Sequence, residues 1–205
     1  MDMQIGEKFI IASSFYDSGP SGRIPIVLGQ GKAFGSGEHE TTRSCLEELE
    51  RLPVASMENV LDLGCGTGIL AIAAAKLGAI SVTAVDPSPF AVETALANAK
   101  RNDMEDRIDV IQGELKDAKG MRFNLIMANL YGDILLEIAP DVLSFLKSNG
   151  YLLLSGIHFE YRYEIKTAFL ELGLQLLKNR MLTEYATLVY ERRGFPSRRQ
   201  NKIAK

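Results

Sequence analysis

From residue 59 onward, unbroken apolar segments alternate with stretches of helical periodicity, and that alternation leaves the chain few folds. Residues 59–63, 81–85, 108–112, 124–128 and 150–155 read as strands, and 174–179 with 187–192 as a closing pair. Between them, 69–77, 89–102, 131–146 and 159–172 carry apolar residues at helical spacing; in 89–102 these are Phe90, Val92, Ala95, Leu96 and Ala99. Strands that are apolar throughout are buried on both faces, so the pattern predicts an α/β domain with a mostly parallel sheet and helices on both sides. Such sheets take ligands just beyond the carboxyl ends of their strands, near the switch in strand order. Function is therefore expected directly after Leu63, Val85, Gln112 and Ala128.

Before residue 59 the pattern differs. The first forty residues are rich in Gly, Ser and Pro, with apolar pieces at 8–12 and 24–28 that read as strands or turns wrapping onto the later core. Residues 41–52 have helical spacing behind Thr41 or Thr42 as caps, and Pro53 ends them. The expected division is 1–52 for these strands, a lid loop and a helix; 53–193 for the main domain; and 194–205 for a basic, disordered tail. After Glu191 there are six basic residues and no acidic one, so the chain through Glu191 holds 17 basic and 26 acidic residues. An acidic body does not suit a phosphate backbone as its main partner, which leaves nucleic acid only the tail to touch. No apolar run approaches the ~18 residues that span a bilayer. The start of the chain lacks the basic end and long apolar stretch of a signal peptide. Cys45 and Cys65 are too few for a disulfide scaffold, so a cytoplasmic protein is expected. His39 and His158 stand far apart and suggest no metal site: His39 reads as a satisfied loop residue or one that shapes a site, His158 as structural or exposed.

VLDLGCGTG, residues 60–68, is an apolar strand running into a glycine-rich turn and then a helix. Glycine permits positive φ and lets a ligand approach the backbone closely. The spacing is G-x-G-x-G, whereas a dinucleotide fingerprint needs its third glycine at 69, where Ile69 stands. A pyrophosphate cradle, and with it a dehydrogenase, is disfavoured. Gly64, Gly66 and Gly68 after Asp62 nevertheless point to a ligand site more than to a structural turn. Asp86 ends the second strand, 22 residues after Gly64. A carboxylate there can accept both hydroxyls of a ribose, or it can cap the helix that follows. Beside the glycine turn, the ribose role is the expectation.

The pattern VLDLGCGTG…AVDPSP resembles the Rossmann-like S-adenosylmethionine-dependent methyltransferases. In that class the glycine turn flanks the amino-acid part of the cofactor and the acidic residue holds the ribose. AFGSGEHETT at 33–42 is more specific and resembles the AFGTGxHxTT segment of the PrmA family, which methylates large-subunit ribosomal protein L-eleven. GCGTGILAIAAAKLGA at 64–79, ANL at 128–130, LSGI at 154–157 and the pair Glu184-Tyr185 follow in order, so the resemblance covers roughly residues 28–193. It implies a seven-stranded, mostly parallel sheet with a closing antiparallel strand, and S-adenosylmethionine contacted at Thr42, Gly64, Asp86 and Asn129, with Gly66 and Gly68 completing the turn. By position, Phe34 would cover the adenine or sulfonium, Glu114 would contact the adenine, and Gly35 and Gly37 would hinge a lid. Glu38, Glu40 and Glu184 are conceivable helpers in removing the acceptor's proton, though each reads first as a surface carboxylate.

Asn129 is the expected catalytic residue. Amine methyltransferases place an amide and backbone carbonyls at this strand end, where they orient the attacking nitrogen and stabilise the charge it gains. Asn-Leu-Tyr-Gly at 129–132 lacks both prolines of the Asn-Pro-Pro-Tyr segment of nucleic-acid amino-methyltransferases, which favours a protein amine. The expected function is thus methylation of a protein amino group, lysine or N-terminal, on a protein of ribosomal type. An RNA or small-molecule methyltransferase and a non-catalytic cofactor-binding module are the alternatives. Members of the family join a separate N-terminal recognition domain to the catalytic one, while only about 30 residues precede the shared segment here. The chemistry carries over, the acceptor's identity does not, and this chain alone is expected to methylate the ribosomal protein poorly.

Overall fold

The computed structural model describes residues 2–12, 22–29 and 34–194. The basic tail from residue 195 and Ala33, the first residue of the motif segment, lie outside the described residues. The first strands, β1 (Met3–Ile5), β2 (Phe9–Ala12) and β3 (Ile24–Val27), form a small sheet in which β1 runs antiparallel and β3 parallel to β2. Ile5, Phe9 and Ile26 from it are fully buried in one core cluster with residues of α1, α2 and the main sheet. Next comes α1 (Glu40–Leu49). Its cap is His39, not Thr41 or Thr42: the His39 Nδ1 accepts the Thr41 N–H at 3.3 Å, and both threonines are buried inside the helix.

The main sheet comprises β4 (Asn59–Leu63), β5 (Ser81–Asp86), β6 (Ile108–Gln112), β7 (Phe123–Asn129), β8 (Leu146–His158), β9 (Gln175–Met181) and β10 (Tyr185–Glu191). Their spatial order is β6-β5-β4-β7-β8-β10-β9, and only β10 runs against the others, inserted between β8 and β9. Strand order reverses direction between β4 and β7, which places a crevice at their carboxyl ends. The two-residue period of β4 sends Val60 into one core and Leu61 and Leu63 into the other. β8 begins four residues earlier than the apolar run suggested. Asn149 and Gly150 lie in an irregularity of the β7–β8 pairing, with Asn149 at φ 61° and its N–H on the Arg192 carbonyl.

Helices α2 (Ile69–Lys76) and α3 (Pro89–Arg101) share one face with α1, while α4 (Gly132–Phe145) and α5 (Arg162–Glu171) cover the other. Every residue of α2 up to Ala75 is buried, because the helix lies between the sheet, α1, α3 and β3. α3 opens with Ser88 as cap and Pro89 in the first turn. Its inner face is the expected one only in part: Ala95 and Ala99 are buried, but Phe90 and Leu96 are 51% and 49% exposed, and Ala91, Asn98 and Asn102 are buried in their stead. Small residues win this face because α3 approaches the glycine turn closely; a Cβ on Gly68 would lie 3.2 Å from that of Ala95. The buried amides have specific partners. Asn102 accepts the Val27 N–H at 3.0 Å and donates to the Val27 carbonyl at 2.7 Å. Asn98 accepts the Gly29 N–H and donates to the Thr67 carbonyl, tying the incoming chain to the glycine turn. Among the described residues no helix is long and apolar enough to cross a membrane.

Candidate active site

The glycine turn after β4 has no hydrogen-bond donors to spare. Gly64 and Cys65 donate to the Val85 carbonyl at 2.8 and 3.1 Å, Gly66 to the Asp86 carboxylate at 3.0 Å, Thr67 to the Phe34 carbonyl at 3.0 Å and Gly68 to the Cys65 carbonyl at 2.8 Å. Such a turn is a shaped wall, not an anion nest. Gly66 has φ 53°, and a Cβ there would strike the Phe34 carbonyl oxygen, so glycine is required where the motif segment crosses the turn. The Thr67 hydroxyl adds a bond to the Gly35 carbonyl at 2.7 Å. Burial and the neighbouring Asp62 and Asp86 carboxylates push the Cys65 thiol up, away from the thiolate form.

Two carboxylates flank the turn. Asp86, at the end of β5, accepts the Gly66 N–H on one oxygen and the Ser88 N–H on the other, and with Ser88 capping α3 its remaining lone pairs are open to a ligand. Asp62, within β4, is 1% exposed and accepts the Ala71 N–H in the first turn of α2 at 3.0 Å. Burial, opposed by that hydrogen bond and reinforced by Asp86, pushes its carboxyl up to about 7.

A cavity of about 310 Å³, within the range of small-molecule sites, opens beyond the carboxyl ends of β4, β5 and β7. Its wall brings together five of the residues singled out in the sequence: Phe34, Gly64, Gly66, Asp86 and Asn129. Gly68 is not on the wall and packs against α3. Glu114 is exposed, 2.7 Å from the Lys116 ammonium, and is not on the wall either. Thr42 is 1% exposed and lies behind the wall, where its hydroxyl accepts from the Asn129 amide at 3.4 Å; the neighbouring Thr41 faces the cavity. That bond leaves the Asn129 carbonyl oxygen on the side of Gly156, where a Cβ would approach it to 3.0 Å. Beneath, a buried chain of hydroxyls runs from Ser155 through Thr187 to Ser44, 2.8 Å at each step.

The wall also holds residues not assigned to the site from sequence, notably Tyr131 and Tyr185. Tyr185 lies edge-on to His39 with ring centres 5.3 Å apart, and His39 in turn lies 5.5 Å from Phe34. His39 thus caps α1 and shapes the site at once. Glu40 is committed elsewhere: its carboxylate accepts the N–H groups of Thr183 and Glu184, pinning the β9–β10 turn to α1. Burial opposes its ionisation, but these hydrogen bonds prevail and hold the carboxyl below its ordinary range.

A sheet of this order, with a cavity at its switch point walled by a glycine turn, a strand-end carboxylate and an asparagine, defines the Rossmann-like methyltransferase fold. The same fold occurs in a 16S rRNA N2 G1207 methyltransferase of T. Thermophilus in complex with AdoMet and guanosine, at a TM-score of 0.64, 25% identity, 78% of this chain and 45% of that one. The family model described as ribosomal protein L11 methyltransferase (PrmA) matches residues 2–193, and the chain belongs to that family. The ribosomal protein L11 methyltransferase of Chloroflexus aurantiacus is 38% identical over 93% of this chain, which spans 65% of that protein, less than two thirds of its length. A crystal structure of ribosomal protein L11 methylase from Lactobacillus delbrueckii subsp. bulgaricus superposes at a TM-score of 0.85, with 32% identity, over 94% of this chain and 99% of that one.

Proposed function

We propose that this chain transfers a methyl group from S-adenosylmethionine to a protein amine, on ribosomal protein L11 or a protein like it, in the cytoplasm. The observation that carries this reading is the cavity at the switch point, where Asp86 and the Asn129 amide face one space across the glycine turn. The residues present suit that cosubstrate: Asp86 has lone pairs for a ribose diol, and the donor-free turn suits a ligand without phosphates. Bound there, S-adenosylmethionine supplies a sulfonium methyl group for in-line transfer to a nucleophile.

The chain's own residues do the rest. Thr42 holds the Asn129 amide nitrogen, so the amide oxygen is free to accept a hydrogen bond from the incoming amine and to fix the direction of its lone pair. Phe34, His39 and Tyr185 line the space beside it, and this apolar lining disfavours a charged ammonium and so promotes loss of its proton before attack. As the nitrogen gains positive charge, the Asn129 oxygen stabilises it without competing for a proton. Titration calorimetry with S-adenosylmethionine, followed by labelled-methyl transfer to purified ribosomal protein L11 and to ribosomal RNA, tests the reading. Absence of cofactor binding, or label entering RNA alone, defeats it.

A further inference from the structure

We infer that the mouth of this cavity is a docking surface for a basic, lysine-bearing polypeptide segment, built as an aromatic belt with an acidic border. The inference rests on the protein-amine reading above and extends it from the reacting nitrogen to the chain that carries it. The belt is continuous. From Phe34 and His39 it passes through Tyr185 to His158, whose ring centre lies 5.8 Å from that of Tyr185, and on to Phe159 at 4.4 Å. Across the mouth, Tyr131 lines the cavity, and the ring of Tyr161 covers Gly132 so closely that a Cβ there would meet it at 2.6 Å. Phe34, Tyr131, Phe159 and Tyr161 are 56%, 69%, 55% and 40% exposed.

Single exposed apolar residues are ordinary, but several rings grouped around one opening mark an interaction site. At the outer, water-facing rings of Phe159 and Tyr161, aromatic faces attract ammonium groups, which suits the lysines that flank the one entering the cavity. The charges on this rim agree. Glu160 stands 3.5 Å from the His158 ring nitrogen, and Glu184 is exposed beside it, its carbonyl accepting the Phe159 N–H. Asp133 is exposed in the first turn of α4 and Glu164 in that of α5, while Arg162 and Lys166 on α5 and Arg43 on α1 are cations of the neighbouring elements. An acidic border repels a phosphate backbone and favours a basic peptide.

The test uses residues that do not line the cavity: the double substitution Phe159→Ala with Tyr161→Ala, and the exposed pair Glu160→Lys with Glu184→Lys. Fluorescence anisotropy reads binding of a labelled peptide of alternating lysine and glycine, and of a single-stranded RNA of equal length. Calorimetry with S-adenosylhomocysteine reads the cavity. Each double variant is expected to bind the peptide about tenfold more weakly, with affinity for S-adenosylhomocysteine within about twofold of the parent. Should the aromatic variant not fold, the charge-reversed pair decides alone. Unchanged peptide binding in the folded variants overturns the inference, as does a parent chain that prefers the RNA. A parent chain that binds the peptide through the belt yet fails to bind S-adenosylhomocysteine refutes the cofactor reading and leaves the belt standing.

Discussion

Replacing Asn102 with alanine should loosen the attachment of the N-terminal sheet to the methyltransferase core. The Asn102 side chain makes three hydrogen bonds: it accepts from the Val27 N–H and donates to the carbonyls of Val27 and Asn98. The Asn98 carbonyl keeps a partner without it, because it also accepts the Asn102 backbone N–H at 3.2 Å. The two polar groups of Val27 lose theirs, in a residue that is buried. An orphaned buried donor or acceptor costs about 1–3 kcal/mol, so the substitution should cost about 2–5 kcal/mol. For a chain of this size that corresponds to a fall in melting temperature of roughly 5–15 °C. Thermal unfolding followed by circular dichroism measures the fall, and hydrogen exchange at the Val27 amide shows whether it arises at this contact. A melting temperature within about 2 °C of the parent, with protection at Val27 retained, would refute the reasoning.

Asp62→Asn keeps an acceptor for the Ala71 N–H but never ionises. Since the native carboxyl titrates at about 7, above its unfolded value, the native state holds the extra proton between the two. The stability this gives is full at acid pH and is lost as pH rises through 7. The substituted protein should therefore gain on the parent as pH rises from ~4 to ~7, and a difference in unfolding free energy that does not vary with pH counts against the assignment. Asp86→Ala should weaken S-adenosylmethionine binding about ten- to hundredfold by calorimetry, and unchanged affinity would remove Asp86 from the ribose. Asn129→Ala should cut turnover sharply with melting temperature nearly unchanged, and normal turnover would exclude it from the chemistry. Thr42→Val should lower kcat more than it raises KM for the protein acceptor, with Thr42→Ser restoring it; an effect confined to cofactor affinity would make Thr42 a ligand contact.

The sequence carried the centre of this fold clearly because its signals are local. An apolar run ending in three glycines, and an aspartate closing the next strand, need no distant partner to be recognised, and β4, β5 and Asp86 lie where that pattern puts them. Asn98 and Asn102 escaped notice because a polar residue on a helix normally faces water; their partners at Gly29 and Val27 lie 69 and 75 residues away. The same limit applies to Tyr185, brought beside His39 only because β10 inserts next to β8. Thr41 and Thr42 are identical neighbours in a motif, and only the rotation of α1 about its axis decides which faces the cavity and which reaches Asn129.

The five committed N–H groups of the glycine turn bear on competition inside a cell. Phosphorylated nucleotides are abundant there, and a turn with free donors beside a helix start would hold their phosphates. Here a phosphate arriving at the wall finds no donor in the turn and meets the Asp86 carboxylate nearby. Displacing the Thr67 bond would take that donor from the Phe34 carbonyl, and only the loss of both the Gly64 and the Cys65 bonds would do the same to Val85. Adenine nucleotides share the nucleoside of the proposed cosubstrate, yet on this wall their phosphates are a liability. Selectivity against them would follow from the bonds that already occupy the turn's own N–H groups.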